Sequence, residues 1–384
     1  MMSVHRLDEV CELLMGQAPD GEAYNTDGNG WPLIAGAGDF GPVYPVAKKF
    51  TTEASKLSQS GDIVLGIRAT IGEKVLSHGV YCLGRGVAGL RAKPGLDGRY
   101  LWHWLTRVRP ELASKAKGAT FKQVNREDIG ELEIPLPPLA EQQRIAELLD
   151  RAEALRAKRR AALAQLDTLT QSLFLNLFGD PATNPKGWEL SRVGDAADVQ
   201  GGLQVSSARK SCPLEVPYLR VANVFRGFLD LGEIKTLRAT ETEVARTTLA
   251  KDDLLIVEGH GNPEEIGRGA LWDGSIVGCV HQNHIIRARF NGQKLLPRYA
   301  CEYLNSPGGR RHLLRAGKTT SGLSTISVSE VRATPVAVPP PALQREFVRR
   351  VTAVEKLKTA HRASLAEMDA LFASLQHRAF RGEL

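Results

Sequence analysis

Two long stretches of the 384-residue chain keep one rhythm of apolar and polar positions, and both are free of helix breakers. From Leu139 to Phe178 there is no Gly or Pro, and Gly179-Asp180-Pro181 ends the run; a second stretch runs from Pro341 to Gly382. Prolines at 135, 137 and 138 suit the start of the first, because proline is tolerated at a helix start and not inside it. Each stretch predicts a helix of roughly 40 residues, about 60 Å long at 1.5 Å per residue.

Within the first, Ile145, Leu148, Ala152, Leu155, Arg159, Ala162, Leu166, Leu169 and Leu173 follow alternating three- and four-residue steps. The matching row in the second is Phe347, Arg350, Val354, Leu357, His361, Ser364, Met368, Leu371 and Leu375. A seam kept over four heptads predicts a coiled coil, expected to pair the two helices antiparallel with the polar Arg159 and His361 near its centre; the alternative is that each helix packs on its own domain and the basic residue snorkels.

The rest of the chain alternates with these helices and is written twice. Ile134 to Gln143 reads IPLPPLAEQQ and Val336 to Arg345 reads VAVPPPALQR; Gln142 and Gln344 align at a shift of 202 residues. The same shift pairs Ser172-Leu173 with Ser374-Leu375 and Phe178 with Phe380, without gaps. Upstream, Asp62-Ile63-Val64-Leu65 resembles Asp253-Leu254-Leu255-Ile256, and Val4 to Leu7 resembles Leu190 to Val193. Segments 61–67, 216–221 and 253–257 are strand-like; shorter helical patterns lie at 100–108 and 297–304. The reading is an α+β chain, pseudo-twofold, with domains at 1–138 and 180–340 separated by helices at 139–179 and 341–384.

Composition narrows the class. With 50 Lys+Arg against 43 Asp+Glu, the net charge of +7 mildly favours a polyanionic partner. Five scattered cysteines, never spaced C-x-x-C, argue against a disulfide framework or a zinc ribbon. No apolar run reaches the roughly 20 residues that span a bilayer, and the N-terminus lacks a signal-peptide core, so a cytoplasmic protein without membrane contact is expected.

Catalytic signatures are missing. Gly36 to Gly41 and Gly84 to Gly89 match G-x-G-x-x-G, but prolines follow where a phosphate-binding helix would have to start. Gly317-Lys318-Thr319 ends like a P-loop, yet His312 occupies the leading glycine position. Cys279, His281 and His284 lie close together without a second ligand cluster. Neither a nucleophile elbow nor H-E-x-x-H nor a methyltransferase N-P-P-aromatic loop occurs. A binding protein without catalytic residues, cofactor or metal is expected.

Several motifs together resemble one family. Ile134 to Ile145, followed by the long helix that closes at Leu177-Phe178-Gly179-Asp180-Pro181, is similar to the central conserved region of type I restriction–modification specificity subunits. The second copy, closing at Phe380-Arg381-Gly382-Glu383-Leu384, resembles their C-terminal conserved region. Glu258 to Arg268, Cys279 to His284, and Gly61-Asp62-Ile63 with Arg68 to Gly72 resemble elements of their target recognition domains. Ala342-Leu343-Gln344-Arg345 departs from the usual Leu-x-Glu-Gln.

The resemblance implies two target recognition domains that read the halves of a bipartite, gapped double-stranded DNA target. The helices would be spacer and docking surface for two adenine methyltransferase subunits, which restriction subunits then join. S-adenosylmethionine, ATP and Mg²⁺ would belong to those partners. Base readout calls for Arg, Lys, Asn, Gln and hydroxyl side chains on polar loops. The candidates are Arg68, Thr70, Thr120, Lys122, Gln123 and Asn125 in the first domain. In the second they are Arg220, Asn223, His260, Asn262, Arg268, Lys318, Thr319, Thr320 and Ser321. The alternative is a stand-alone DNA-binding regulator or scaffold.

Overall fold

The computed structural model describes residues 3–118, 122–320 and 322–384. It divides into two units, Met1–Ala161 with Arg362–Leu384, and Ala162–His361.

In the first unit, strands Cys11–Met15, Val87–Ala92, Ile63–Gly66 and Lys74–Leu76 form an antiparallel sheet in that order. Ile63 to Leu65 are buried throughout, the continuous apolar run of a strand covered on both faces. A second sheet orders Tyr24–Asn25, Lys49–Thr51, Trp31–Ile34 and Cys82–Leu83, the last pair parallel. Strand Ser3–Arg6 pairs antiparallel with Glu133–Leu136, closing the unit just before the long helix. Helix Gly98–Ser114 starts where the Asp97 carboxylate accepts from Arg99 N and Tyr100 N, and buries Tyr100, Leu101, Trp104, Leu105, Val108 and Leu112.

The second unit repeats this plan. Strands Ala197–Gly201, Ile285–Phe290, Leu254–Val257 and Gly269–Leu271 form the main sheet. Lys235–Ala239, Leu214–Leu219 and Val280–His281 form the second, again with one parallel pair. Leu190–Arg192 pairs with Pro335–Ala337, and helix Pro297–Asn305 takes the place of 98–114.

Three buried polar contacts recur in both units and explain the repeated sequence. The Gln142 side chain donates to Gly95 O and Pro137 O at 2.9 Å and accepts from Asp97 N at 2.8 Å. Gln344 donates to Lys294 O and Pro339 O and accepts from Leu296 N at the same distances. Each glutamine is wholly buried with its amide satisfied, tying the proline turn and the preceding loop to the start of a long helix. The Tyr100 hydroxyl donates to Pro135 O at 2.7 Å, and that of Tyr299 to Ala337 O at 2.9 Å. Arg91 holds the buried Asp62 carboxylate through two bonds of 2.9 Å, and Arg289 holds Asp253 through two of 2.7 Å.

The long helices are Leu139–Phe178 and Pro341–Ala379. In the first unit Arg160 meets Asp369 at 3.7 Å, while Arg156 lies 4.3 Å from the Phe372 ring centre. In the second, Asp167 pairs with Lys358 at 3.2 Å and Phe174 packs edge-on against Phe347 at 5.6 Å. Rising numbers meet falling ones in each unit, so the helices pair antiparallel.

The seam itself differs from the sequence expectation. Ile145, Phe347 and Val354 are buried, and Arg159, Leu166, His361 and Met368 are half-buried. Leu148, Leu155, Leu169, Leu357 and Leu371 are exposed. The buried partners stand one residue later, at Leu149, Thr170, Lys358 and Phe372, with Arg156 half-buried. One residue is a turn of about 100° about the helix axis. Polar Arg156, Thr170 and Lys358 on the packed stripe make it read as surface, while the adjacent leucine row reads as core.

Candidate nucleic-acid interface

In the first unit, the strand Ile63–Gly66 ends in a tight loop. Ile67 N donates to Gly86 O at 3.0 Å, Thr70 N closes on Arg68 O, and Gly72 N returns to Gly66 O at 3.0 Å. Ala69 is driven to φ +47°, a left-handed backbone uncommon for a residue with a Cβ. Backbone strain of this kind gathers at functional loops. Val124 N donates to Ile67 O at 3.1 Å, and Gln123 bridges both Arg68 and Lys117.

Tertiary folding thus brings Arg68 and Thr70 beside Lys122 and Gln123, more than 50 positions away. Thr70, Lys122 and Gln123 are exposed and Arg68 is half-buried. Asn125 instead accepts from Asp128 N at 2.8 Å while the Asp128 carboxylate accepts from Asn125 N, a reciprocal helix cap. Thr120 lies outside the described residues.

The second unit places its loop on the same framework. Glu258 N donates to His284 O at 3.0 Å and Ile326 N to Glu258 O at 2.9 Å, matching Ile67 and Val124. Here the connection has grown into a three-stranded sheet of Gly259–His260, Leu323–Thr325 and Lys318–Thr320. His260 and Lys318 therefore share one small sheet although 58 positions separate them. Lys318 and Asn262 are exposed and His260 is half-buried. His260 Nδ1 accepts from Asn262 N at 3.0 Å, and Asn262 Oδ1 accepts from Glu264 N at 3.1 Å, which fixes the turn. Thr319 and Thr320 belong to the strand by their backbone, and Ser321 lies outside the described residues.

Three candidates hold the scaffold rather than face outward. Arg268 is buried, donating to Glu265 at 2.8 Å and to Val221 O at 3.3 Å. That bond holds the Glu265 carboxyl below the usual carboxylate range. Asn223 is buried and donates to Asp230 O and Glu233 O while accepting from Arg220 N. Arg220 pairs with Glu233 at 2.9 Å. Sequence alone cannot separate an arginine that faces a groove from one that faces a glutamate.

Sequence reasoning missed the clamp on the second loop. Arg226 donates to Asn305 O and Glu264 O, and Arg310 also donates to Glu264 O. Burial, and then the neighbouring Arg310, lowers the Arg226 pKa. These arginines lie 38 and 46 positions from Glu264, so no local signal marks them. His281 donates to Thr247 O at 3.3 Å, and burial pushes its pKa down to about 4; burial pushes the Cys279 thiol up to about 12. Among the described residues no cluster of three or more His, Cys, Asp or Glu is placed to hold a metal ion. Nor, among them, is any helix long and apolar enough to cross a membrane.

Residues 2–165 match the type I restriction modification DNA specificity domain. Over 371 residues the chain is 28% identical to the type I restriction enzyme EcoKI specificity subunit of Escherichia coli K12, covering 88% of this chain and 78% of the relative. Two solved structures share the fold. A chain from a study of complex assembly and conformational transition in the type I system has TM-score 0.64 at 19% identity, covering 100% of this chain and 98% of the other. The type I S subunit of M. genitalium has TM-score 0.57 at 16% identity, with 99% and 96% covered.

Proposed function

We propose that the chain is a specificity subunit of a type I restriction–modification system, on the match of residues 2–165 and the 28% identity to the EcoKI subunit, and that each unit reads one half of a bipartite, gapped DNA target. Subunits of this kind recognise DNA and leave catalysis to their partners. The recognition domains are 1–138 and 180–340, and the helices 139–179 and 341–384 are spacer and docking surface. The observation that carries this reading is one scaffold fitted with two different loops. Gln142 and Gln344, Tyr100 and Tyr299, Asp62 and Asp253 hold identical positions. At the equivalent strand end, however, one unit presents Arg68, Thr70, Lys122 and Gln123, and the other His260, Asn262 and Lys318 with the strand Lys318–Thr320. Two domains alike in frame and different in reading loop suit a non-palindromic target, whose halves offer different donor and acceptor patterns.

The exposed leucine row supports docking of one partner to each unit. Leu169 and Leu357 line a groove of about 310 Å³ with Ala162, Gln165, Leu166 and His361. The shift of 202 carries Leu169 to Leu371 and takes Leu357 back to Leu155, which are 60% and 55% exposed in the other unit. Two equivalent apolar faces fit two copies of one subunit, the adenine methyltransferase, each laying a helix on the row. Restriction subunits join that complex in the cytoplasm, and S-adenosylmethionine, ATP and Mg²⁺ are bound by the partners.

The test is to co-express the chain with its cognate methyltransferase and map methylated adenines across the host DNA. A single gapped, asymmetric motif that disappears without this chain is expected. Methylation that is ungapped or indifferent to the chain would make it a stand-alone DNA-binding regulator.

A further inference from the structure

One hairpin occurs at the same place in both units and carries an exposed aromatic at the same position. Strand Trp31–Ile34, paired in parallel with Cys82–Leu83, runs into a single 3-10 turn at Ala37–Asp39. Strand Leu214–Leu219, paired in parallel with Val280–His281, runs into the equivalent turn at Val221–Asn223. The hairpins that follow match bond for bond. Gly41 N donates to Tyr44 O and Phe225 N to Phe228 O, both at 3.0 Å; Val46 N donates to Asp39 O and Asp230 N to Asn223 O, at 2.8 and 2.9 Å. Tyr44 and Phe228 are therefore structural equivalents, and they are 48% and 58% exposed.

The flanking residues differ completely: Gly41-Pro42-Val43 in one hairpin, Phe225-Arg226-Gly227 in the other. An aromatic ring kept outside, on a frame whose neighbours vary, is costly to leave in water unless something covers it.

Both hairpins are fastened to the strand that follows the reading loop. Leu76 N donates to Val43 O at 2.8 Å in the first unit, and Gly227 N to Gly269 O at 2.9 Å in the second. In the second unit the link reaches the loop itself. Arg226 donates to Glu264 O at 3.3 Å, and the Arg268 guanidinium sits 5.1 Å from the Phe225 ring centre. Phe225 in turn stacks on Phe228 at 4.9 Å with planes 5° apart. Arginine, ring and ring form a pile that ends at the exposed Phe228.

We propose that Tyr44 and Phe228 are a matched pair of DNA wedges, each packing its ring against an opened base step beside the half-site its unit reads. The inference rests on the DNA-reading function proposed above and adds contacts outside the reading loops. Phe228 has no charge or donor, so a phosphate is not its partner. A duplex offers an aromatic ring a flat apolar surface only where a base step is partly unstacked, which also bends the DNA. Base stacking is tolerant of sequence, so units that read different bases can share it. Around the second hairpin Arg226, Arg268 and Arg310 face Glu264 and Glu265, and the one positive charge left over favours a polyanionic partner.

The test uses the full chain with its methyltransferase subunits and duplexes carrying the mapped target, with 2-aminopurine placed singly at each step flanking the half-sites. Wild type should raise the fluorescence at one step beside each half. Tyr44→Ser should abolish the rise at one half and Phe228→Ser at the other, each weakening binding about tenfold, the scale of one stacked base. Tyr44→Phe and Phe228→Tyr should keep both signals. Fluorescence and affinity unchanged in the serine variants would overturn the wedge. So would normal DNA affinity with loss of co-purifying methyltransferase, which would assign the hairpins to protein docking. A wild-type complex that fails to bind the mapped duplex would overturn the recognition function itself, and the wedge with it.

Discussion

The two units share three polar ties and share almost nothing at the ends of their central strands. Gln142 and Gln344 make the same three hydrogen bonds, whereas the Arg68 loop is a strained turn and the His260 loop a small sheet. A buried amide with every partner in place tolerates no variation, because each lost partner leaves a polar group orphaned. A solvent-facing loop carries no such constraint. A chain that presents different loops on one frame can therefore keep these three ties while its strand ends diverge.

The largest expected effect probes the shared frame. Asp62→Ala leaves Arg91, only 27% exposed, with Glu12 as its remaining carboxylate and removes the acceptor of Gln59 N, and should cost about 3 kcal/mol in urea denaturation. Asp253→Ala should cost less, since Arg289 is 41% exposed and can turn to water. Equal losses would show that solvent access does not separate the two pairs.

The helices offer an internal contrast between adjacent residues. Leu149→Ala should cost about 3 kcal/mol through the cavity it leaves, while Leu148→Ser should change stability by less than about 0.5 kcal/mol. Leu148→Ser proving the costlier would restore the seam expected from sequence.

A pH dependence should arise in the second unit from His281, alongside that of the first unit's His103, whose pKa burial also lowers. His281 is held neutral by burial, then by Arg287, with a folded pKa of about 4 against an ordinary 6.5. The unfolded chain binds the proton first, so this residue's contribution is complete above about pH 6.5 and falls as pH drops towards 4. The loss approaches about 3 kcal/mol at full extent. Subtracting the denaturation curves of His281→Gln from wild type should reveal this slope; a flat difference between pH 6.5 and 4 would show that the histidine is not held neutral.

The smallest effects belong to the reading loops. Thr70→Ala and Gln123→Ala should relax bases in one half-site only, and His260→Ala in the other, each costing about 1–3 kcal/mol of binding. Lys318→Ala should weaken binding evenly and reduce the salt dependence, as a phosphate contact does. Relaxation of both halves by one substitution would break the one-unit, one-half correspondence.

Much of the frame was legible in the chain. The breaker-free runs end at Phe178 and Ala379, and strands at Ile63–Gly66 and Leu254–Val257 lie within the apolar segments expected to hold them. These features are local: proline geometry, glycine stops and continuous apolar runs act within a few residues. The helix seam was legible only in its period. Leu148 and Leu149 both fit a heptad, and the tie of Gln142 to Gly95, 47 positions away, helps set which face turns inward.

Sequence by itself determined the duplicated plan, the long helices and the absence of catalytic motifs, because repeats and periodicity need no knowledge of distant neighbours. Tertiary structure alone decided which polar residues face outward. Arg68 and Arg268 look alike on paper, yet one lies at a strained surface loop and the other is spent on Glu265 and Val221. It also aligned Tyr44 with Phe228 through backbone hydrogen bonds that their dissimilar flanking residues conceal. The physical reason is that a guanidinium or a ring takes its role from what the rest of the chain folds against it.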